Sequence, residues 1–350
     1  MRKPLFNEFK ESTALARLDA ALTTQLLRHY KTSELLPAQR GLRRSTCVAL
    51  AWNIQQARIV AKEPQQIRGV ISGASCANAL AVWGDRQRHW IVVTEGLMTV
   101  LRDAAERNAA RMVAAFPAAF ASASGQRMVA ATPLQGFQTM PGALLYFGAM
   151  SFVASHELGH HLAGHGAYYN AQDKNALDDA ALRARWDVPH ALERQADAIG
   201  VGAALLCVNK LMARFFTAAG LTPVQRQEQQ MLVAIVFAAG VLTSAARLVP
   251  DAFDFSAAPS ATHAQNAYRL IRIAAMLMRP LRSLALLDDA TRKAVRIKCL
   301  EIVLGPAEPV PGAPRLPGMR QALHDPFFQA YMTQLDAGLL LFKENLRAAS

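Results

Sequence analysis

The sequence has no pair of cysteines spaced for a metal or redox motif. Its four cysteines are scattered and form no C-x-x-C pair, so they are poor zinc ligands and are typical of reduced thiols in a reducing compartment. Charged residues make up only 18% of the chain, and the 52% of hydrophobic residues are spread along its whole length. This composition excludes global disorder and, over 350 residues, predicts one large domain or two modest ones.

Long apolar segments are also lacking. The uncharged segment 231–246 is 16 residues long, whereas a membrane span needs about 20. We therefore interpret it as a buried core helix, with a membrane-inserted hairpin beside the active site as the alternative. Charges at Glu8, Lys10, Glu11 and Arg17 interrupt the N-terminal segment, which predicts no secretory signal. We expect a cytoplasmic protein, with membrane association as the less favoured alternative.

The net charge of +12 would attract nucleic acid, anionic lipid or acidic proteins. No dense basic run accompanies it, and the tightest cluster is Arg40, Arg43 and Arg44. No recognised nucleic-acid motif is present either. A nucleic-acid binder therefore remains a third hypothesis, and nucleic acid is not the expected partner.

Strands are predicted where apolar, β-branched runs lie between turn signals, in 67–73, 77–84 and 89–97. The alanine-rich segment 104–141 contains Pro117 and Ser122, so we expect one helix followed by two loops. Apolar periodicity predicts further helices at 12–30, 46–61, 142–164, 189–218 and 225–248. Gly41 is expected to separate the first two of these. The prolines within 306–317 predict an extended connector.

Residues 156–160 read HELGH, an H-E-x-x-H sequence. On a helix, residues four apart share one face, so the imidazoles of His156 and His160 can reach one ion. Glu157 then lies beside a metal-bound water and can act as its general base. Gly159 leaves room near the ligands, and the apolar run before the motif predicts a buried helix. The alternative is a histidine-rich helix surface.

A second helix carries the sequence ERQAD, from Glu193 to Asp197. A catalytic zinc site needs a third protein ligand and an open fourth position, and the Glu193 carboxylate can supply the third ligand. Asp197, one turn further on, can accept a hydrogen bond from a ligand histidine. A histidine third ligand of the metzincin kind would stand at position 166, but the histidine here is His165, so the register is wrong.

With these motifs, the chain resembles a gluzincin zinc peptidase, most closely the HtpX, Oma and CAAX-prenyl-protease group. Asn78, Ala79, Leu80 and Ala81 resemble that group's NAFA-type strand, and the segment 91–97 resembles its strand-to-helix segment. Thr262-His263, followed by Arg269, resembles its histidine-proline-plus-arginine motif, although Ala264 replaces the proline. The Lit and ImmA/IrrE peptidases share H-E-x-x-H with a similar downstream motif and are related possibilities.

The resemblance implies one Zn²⁺ per chain and hydrolysis of peptide bonds in a protein or peptide substrate. It implies that Asn78 to Ala81 belong to an edge strand that binds an extended substrate. It also implies that His263 and Arg269 lie near the metal and support the oxyanion of the reaction intermediate. The transmembrane helices of the group's membrane members are missing, which favours a soluble relative.

We therefore expect an α+β fold: a mostly helical, zincin-like peptidase domain with a small β-sheet and extra N- and C-terminal helices. The expected division is an N-terminal helical region (1–66), the peptidase domain (67–280) and a C-terminal helical region (281–350). The expected function is zinc-dependent endopeptidase activity. The alternatives are a regulatory or phage-defence metallopeptidase with one narrow protein target, and a non-catalytic zinc-binding regulator. The sequence does not indicate an oligomeric state.

Overall fold

The structure is a computed structural model. It describes residues 40–60, 66–83, 88–166, 187–213, 221–247 and 264–304, together with residues 216 and 333. Within these ranges the chain is mostly helical with one small mixed sheet, which confirms the predicted α+β class. In chain order the elements are α1 (Arg40–Val60), β1 (Gln66–Ser72), β2 (Ala79–Trp83), β3 (Arg88–Thr94), α2 (Glu95–Ala115), α3 (Pro117–Ala121), α4 (Ala123–Ala130), α5 (Met140–Leu162), α6 (Asp187–Met212), α7 (Pro223–Ala246), α8 (Ala264–Met276), α9 (Met278–Leu281) and α10 (Asp289–Leu304).

The three strands form where the alternating apolar runs predict them. Strand β3 is central, with β1 parallel to it on one side and β2 antiparallel on the other. Thr94 ends β3 and also caps α2, because its hydroxyl accepts a hydrogen bond from the Leu97 amide at 3.2 Å. The same hydroxyl donates to the Asn78 carbonyl at 2.9 Å. One side chain therefore fixes both the start of β2 and the angle between the sheet and α2.

Helix α5 is the centre of the core. All of its residues from Met140 to His161 are buried, because helices pack on several of its sides. Helix α6 runs antiparallel to it: Gly200 backs onto His156, and Val208 lies against Gly148. Helix α1 runs parallel to α5, because Thr46 contacts Tyr146 and Asn53 contacts Ser155. Helix α7 is also parallel to α5, since Gly240 lies against Gly148 and Arg247 lies near Glu157. The C-terminal ends of α5 and α7 therefore lie at the same end of the bundle.

Helices α5 and α7 approach closely at a pair of glycines. A Cβ built on Gly240 would lie 2.8 Å from the Gly148 Cα, closer than real side-chain contacts allow. We expect Gly240→Ala to lower the free energy of unfolding by about 1–3 kcal/mol, because backbone atoms cannot rotate away as a flexible side chain can. Gly202→Ala is the matched control, since nothing lies within 4 Å of its Cβ position.

Because Gly202 lies on the exposed side of α6, replacing it by alanine is expected to raise stability by about 0.5–1 kcal/mol. Urea denaturation of the two variants beside wild type measures both effects. A Gly240→Ala protein as stable as wild type would contradict the close helix contact.

Helix α7 contains the apolar segment considered above as a core helix or membrane hairpin. It is long and apolar enough to cross a bilayer, and 83% of its most apolar window is buried by the rest of the described chain. Its buried side chains belong to the same hydrophobic cluster as those of α1, α2, α5 and α10. That degree of burial is expected of a core helix.

Some predicted boundaries are wrong. The segment predicted as loops after α2 contains α3 and α4, because Pro117 occupies the first turn of one helix and Ser122 caps the other. Helix α1 begins at Arg40 rather than near Thr46, so Gly41 lies in its first turn, where the Gln135 backbone would overlap a Cβ. Helix α6 ends at Met212, short of the predicted residue 218. The predicted helix 12–30 and connector 306–317 lie outside the described residues.

Candidate metal centre

The last turns of α5 and the first half of α6 bring three candidate ligand residues together. His156 and His160 share one face of α5, with their Nε2 atoms 3.1 Å apart. The Glu193 carboxylate faces both, with Oε2 3.2 Å from His156 Nε2 and Oε1 3.3 Å from His160 Nε2. Among the described residues, these three form the group of acidic, histidine or cysteine side chains that could hold a metal ion.

The donor set fits a zinc ion. Zinc bonds of about 2.0–2.2 Å at tetrahedral angles place neighbouring ligand atoms about 3.3–3.5 Å apart. The Nε2–Nε2 separation of 3.1 Å is close to one edge of such a tetrahedron. The Glu193 carboxylate faces both nitrogens, with Oε2 3.2 Å from His156 and Oε1 3.3 Å from His160, so it can supply the third ligand atom. The Glu193 side chain is 34% exposed, whereas those of the two histidines are 9% and 6% exposed, so the cluster opens to solvent on the glutamate side.

The approach of α5 and α6 depends on two glycines. A Cβ on Gly159 would lie 3.0 Å from the Ala196 backbone, and one on Gly200 would lie 3.0 Å from the His156 backbone. The sequence predicts that Gly159 leaves room near the ligands. In the structure the side of Gly159 that would carry a Cβ instead packs against α6. Its role in the structure is to let the two ligand-bearing helices pack closely.

Asp197 lies one turn beyond Glu193 and is fully buried. Its Oδ1 lies 3.0 Å from His156 Nδ1, although the two groups are not aligned as a hydrogen bond. Arg269 binds both carboxylate oxygens, at 3.0 and 2.8 Å, and Arg272 donates to Oδ2 at 2.7 Å. Burial opposes ionisation of this carboxyl, but Arg269, His156 and Arg272 together hold its pKa well below the usual range.

The carboxylates also act on the first ligand histidine. Burial favours neutral imidazole, yet Asp197 and Glu193 outweigh it and raise the pKa of His156 to about 10. For Glu193, burial is likewise outweighed by His156 and His160, which hold the pKa of its carboxyl well below the ordinary value. The cluster without an ion is therefore a set of opposite charges, and a divalent cation can replace the proton on the imidazole.

Glu157 precedes the turn that carries His160 and is 8% exposed. Two arginines, Arg247 and Arg269, lie near enough to interact electrostatically with its carboxylate. Arg269 also lies 3.3 Å from Glu193 Oε2 and 3.4 Å from His156 Nε2. Burial, with repulsion from Arg269, lowers the pKa of Arg247 to about 10, and the Glu157 carboxylate offsets part of that shift. Arg247 follows the last turn of α7, and its Nε has no hydrogen-bond partner among the described residues.

His165 supports the second ligand histidine. Its Nδ1 lies 2.8 Å from His160 Nδ1, and its Nε2 lies 3.1 Å from Gln195 Oε1. Burial is the main reason that the pKa of His165 falls to about 4, so the ring is neutral at physiological pH. His161, the next residue along, points instead to the sheet, where its Nε2 lies 2.9 Å from the Trp90 carbonyl.

The structure places most of the predicted site residues near one another. Arg269 makes its two shorter hydrogen bonds to Asp197 and a longer contact of 3.4 Å to His156 Nε2. His263 lies outside the described residues. Ala79, Leu80 and Ala81 lie on β2, an edge strand of the described sheet, and Asn78 precedes it. The end of β2 meets the chain just after α5, where a Cβ on Gly166 would overlap the Trp83 ring.

The sequence analysis did not identify Arg272, Gln195 or Arg247 as part of this cluster, and it gave His165 a different role. Arg272 lies one turn after Arg269, so helical spacing alone could have placed both guanidinium groups on one face of α8. Gln195 lies inside the ERQAD motif, and His165 was considered only as a metal ligand in the wrong register. Arg247 lies far from the motifs in sequence, and no local pattern indicates it.

Comparison of the chain with protein-family models, with curated proteins and with solved structures finds no match in any of the three.

Proposed function

We propose that this protein is a zinc-dependent endopeptidase of the gluzincin type that hydrolyses peptide bonds of a protein substrate. The observation that carries the proposal is the cluster of His156, His160 and Glu193. Its two imidazole Nε2 atoms lie 3.1 Å apart, and one oxygen of the Glu193 carboxylate lies 3.2–3.3 Å from each of them. A glutamate directly follows the first of these histidines, and the cluster opens to solvent on one side. These are the requirements of a catalytic, rather than a closed structural, zinc site.

A bound zinc ion supplies Lewis-acid chemistry that makes water nucleophilic near neutral pH and polarises a carbonyl group. Glu157 takes a proton from the attacking water and delivers it to the leaving amine. Arg269 holds Asp197 in place beside His156, and its remaining reach toward Glu193 puts positive charge at the open side of the cluster. That charge favours the negative oxygen that develops as the carbonyl is attacked.

The edge strand β2 gives the substrate a place to bind. It pairs with β3 along one side only in the described sheet, and its C-terminal end lies next to the end of α5. An extended peptide can add to such an edge through main-chain hydrogen bonds, which carry affinity with little dependence on side chains. This mode supports a protein or peptide substrate bound in extended form, with Asn78 to Ala81 as the binding segment.

Metal analysis followed by a cleavage assay tests the proposal. We expect the purified chain to bind one Zn²⁺ and to cleave casein in a reaction that a chelator stops and added Zn²⁺ restores. Glu193→Ala is expected to lower zinc occupancy and proteolysis together, because it removes one of three ligands. Glu106→Ala is a matched control, since Glu106 binds the Gln138 amide at the other end of α5.

The results separate the proposal from its alternatives. Zinc binding to wild type without cleavage of any substrate tried would favour the non-catalytic regulator or a peptidase with one narrow target. Absence of stoichiometric zinc from the wild-type chain, or equal zinc binding by Glu193→Ala, would contradict the metal site itself.

A further inference from the structure

The end of α5 is a glycine-terminated helix end that places His165 against His160. Gly164 has φ +72°, a left-handed conformation that glycine adopts without strain. The Gly164 amide donates to the His161 carbonyl at 3.2 Å, and the His165 amide donates to the His160 carbonyl at 3.1 Å. These two hydrogen bonds define a Schellman motif, in which the residue after the glycine contacts the residue five positions earlier.

In most such motifs that contact joins two apolar side chains. Here it joins two imidazoles, with 2.8 Å between the Nδ1 atoms of His160 and His165 and an angle of 75° between the rings. His165 is fully buried, and its second nitrogen faces Gln195 Oε1 at 3.1 Å. Both ring nitrogens of His165 therefore have a partner within hydrogen-bond distance.

One set of hydrogen-bond directions satisfies all of these contacts. The Gln195 carbonyl oxygen can only accept, so Nε2 of His165 donates to it, and Nδ1 of the neutral ring is then an acceptor. His160 Nδ1 must then carry the proton that is donated to His165. His160 Nε2 is left with its lone pair, and it is this atom that faces His156 and Glu193.

The reverse arrangement would not support a metal. If the Gln195 amide nitrogen faced His165, it would donate to His165 Nε2. The His165 proton would then lie on Nδ1 and be donated to His160 Nδ1. His160 would then carry its proton on Nε2, which would leave no lone pair at that atom. Only the orientation with Gln195 Oε1 toward His165 leaves the ligand atom ready to coordinate.

We propose that His165 is a positioning residue for the metal site and that, held by Gln195, it keeps His160 in the tautomer that coordinates through Nε2. The inference rests on the proposed function for the identity of the ion and deepens it. The two ligand histidines are thus supported differently: His156 by the charged carboxylate of Asp197, and His160 by a neutral imidazole. Partners of this kind fix the ring orientation of metal-ligating histidines.

Zinc affinity, measured by competition with a chromophoric chelator, tests the proposal without any assay of peptidase activity. His165→Ala is expected to weaken zinc binding by about 10–100-fold, the usual effect of losing such a partner. His165→Asn should stay within about 5-fold of wild type, because its side-chain oxygen replaces the accepting Nδ1. His161→Ala is the matched control: it removes an adjacent buried imidazole whose hydrogen bond goes to Trp90, so zinc affinity should be unchanged.

A second measurement reports the tautomer directly. In the Co²⁺-loaded protein, the Nδ1–H proton of each ligand imidazole gives a paramagnetically shifted, exchangeable NMR signal. We expect the His160 signal to persist in wild type, because this N–H is buried and hydrogen-bonded, and to be lost by rapid exchange in His165→Ala. The His156 signal should be the same in both proteins.

Should His165→Ala not fold, Gln195 provides a second pair of variants. Gln195→Leu removes the acceptor and is expected to weaken zinc binding several-fold, whereas Gln195→Glu keeps an accepting oxygen and should not. The proposal is overturned if wild-type zinc affinity and both imidazole signals survive in folded His165→Ala or Gln195→Leu. A wild-type chain that binds no zinc would overturn the proposed function as well, whereas a chain that binds zinc without proteolysis leaves this test intact.

Discussion

Glu157→Gln is expected to retain one zinc per chain and to lower the kcat of peptide hydrolysis by about 10²–10⁴-fold. Glutamine has the shape of glutamate but cannot take up the proton of the attacking water. Glu157 is not a member of the candidate metal-binding group of His156, His160 and Glu193, so metal binding is not expected to depend on its charge. The measurement is initial-rate proteolysis beside metal analysis of the same sample.

The same chemical change at a glutamate far from the cluster provides the control for Glu157→Gln. Glu106 on α2 accepts hydrogen bonds from Gln138 and Thr139 at the start of α5, roughly 25 Å along that helix from the cluster. Glu106→Gln should leave kcat unchanged. Undiminished turnover by a zinc-replete Glu157→Gln protein would refute the proposed role of this residue.

Asp197→Asn is expected to destabilise the protein by about 3–5 kcal/mol. The carboxylate is fully buried and is shared by Arg269 and Arg272, whose side chains are only 20% and 3% exposed. An amide of the same shape cannot compensate two guanidinium charges, and its own N–H groups would face them. Breaking a buried ion pair on one side leaves the other side charged and desolvated, which is the costly case.

Urea denaturation in the presence of a chelator measures the effect of Asp197→Asn without a contribution from bound metal. Asp103→Asn is the control, because Asp103 pairs with Arg102 at the surface and its side chain is 47% exposed. Exposed pairs of that kind contribute about 0–1 kcal/mol. Equal, small losses from both substitutions would show that the buried cluster does not depend on the charge of Asp197.

Local patterns predicted the elements that carry the ligands. The H-E-x-x-H spacing places two imidazoles on one face of any helix, and ERQAD places Glu193 and Asp197 one turn apart. The three strands were predicted within a few residues, because apolar alternation ends at clear turn signals. In each case the residues that form the pattern lie within a few positions of one another, which is the range over which helix and strand geometry set the direction of side chains.

The errors arose where one residue type has two uses. Proline and serine residues after α2 predict loops in the sequence. In the structure Pro117 occupies the first turn of α3, and Ser122 caps the N-terminus of α4. Gly41 and Gly159 were interpreted from their own sequence surroundings, whereas each is needed for contact with a distant backbone. Tertiary contacts of that kind, like the approach of Arg272 to Asp197, have no signature in a single sequence.

The parallel course of α5 and α7 has a consequence for the peptide backbone itself. Each helix carries roughly half a negative charge at its C-terminus, and the last turn of α5 contains His160 while Arg247 follows α7. Both carbonyl ends therefore favour cations at the same end of the bundle. The antiparallel α6 begins at this end of the bundle, with Glu193 in its second turn. The backbone of α5 and α7 therefore contributes negative potential at the end where the two imidazoles and the Glu193 carboxylate converge, which favours a divalent cation there.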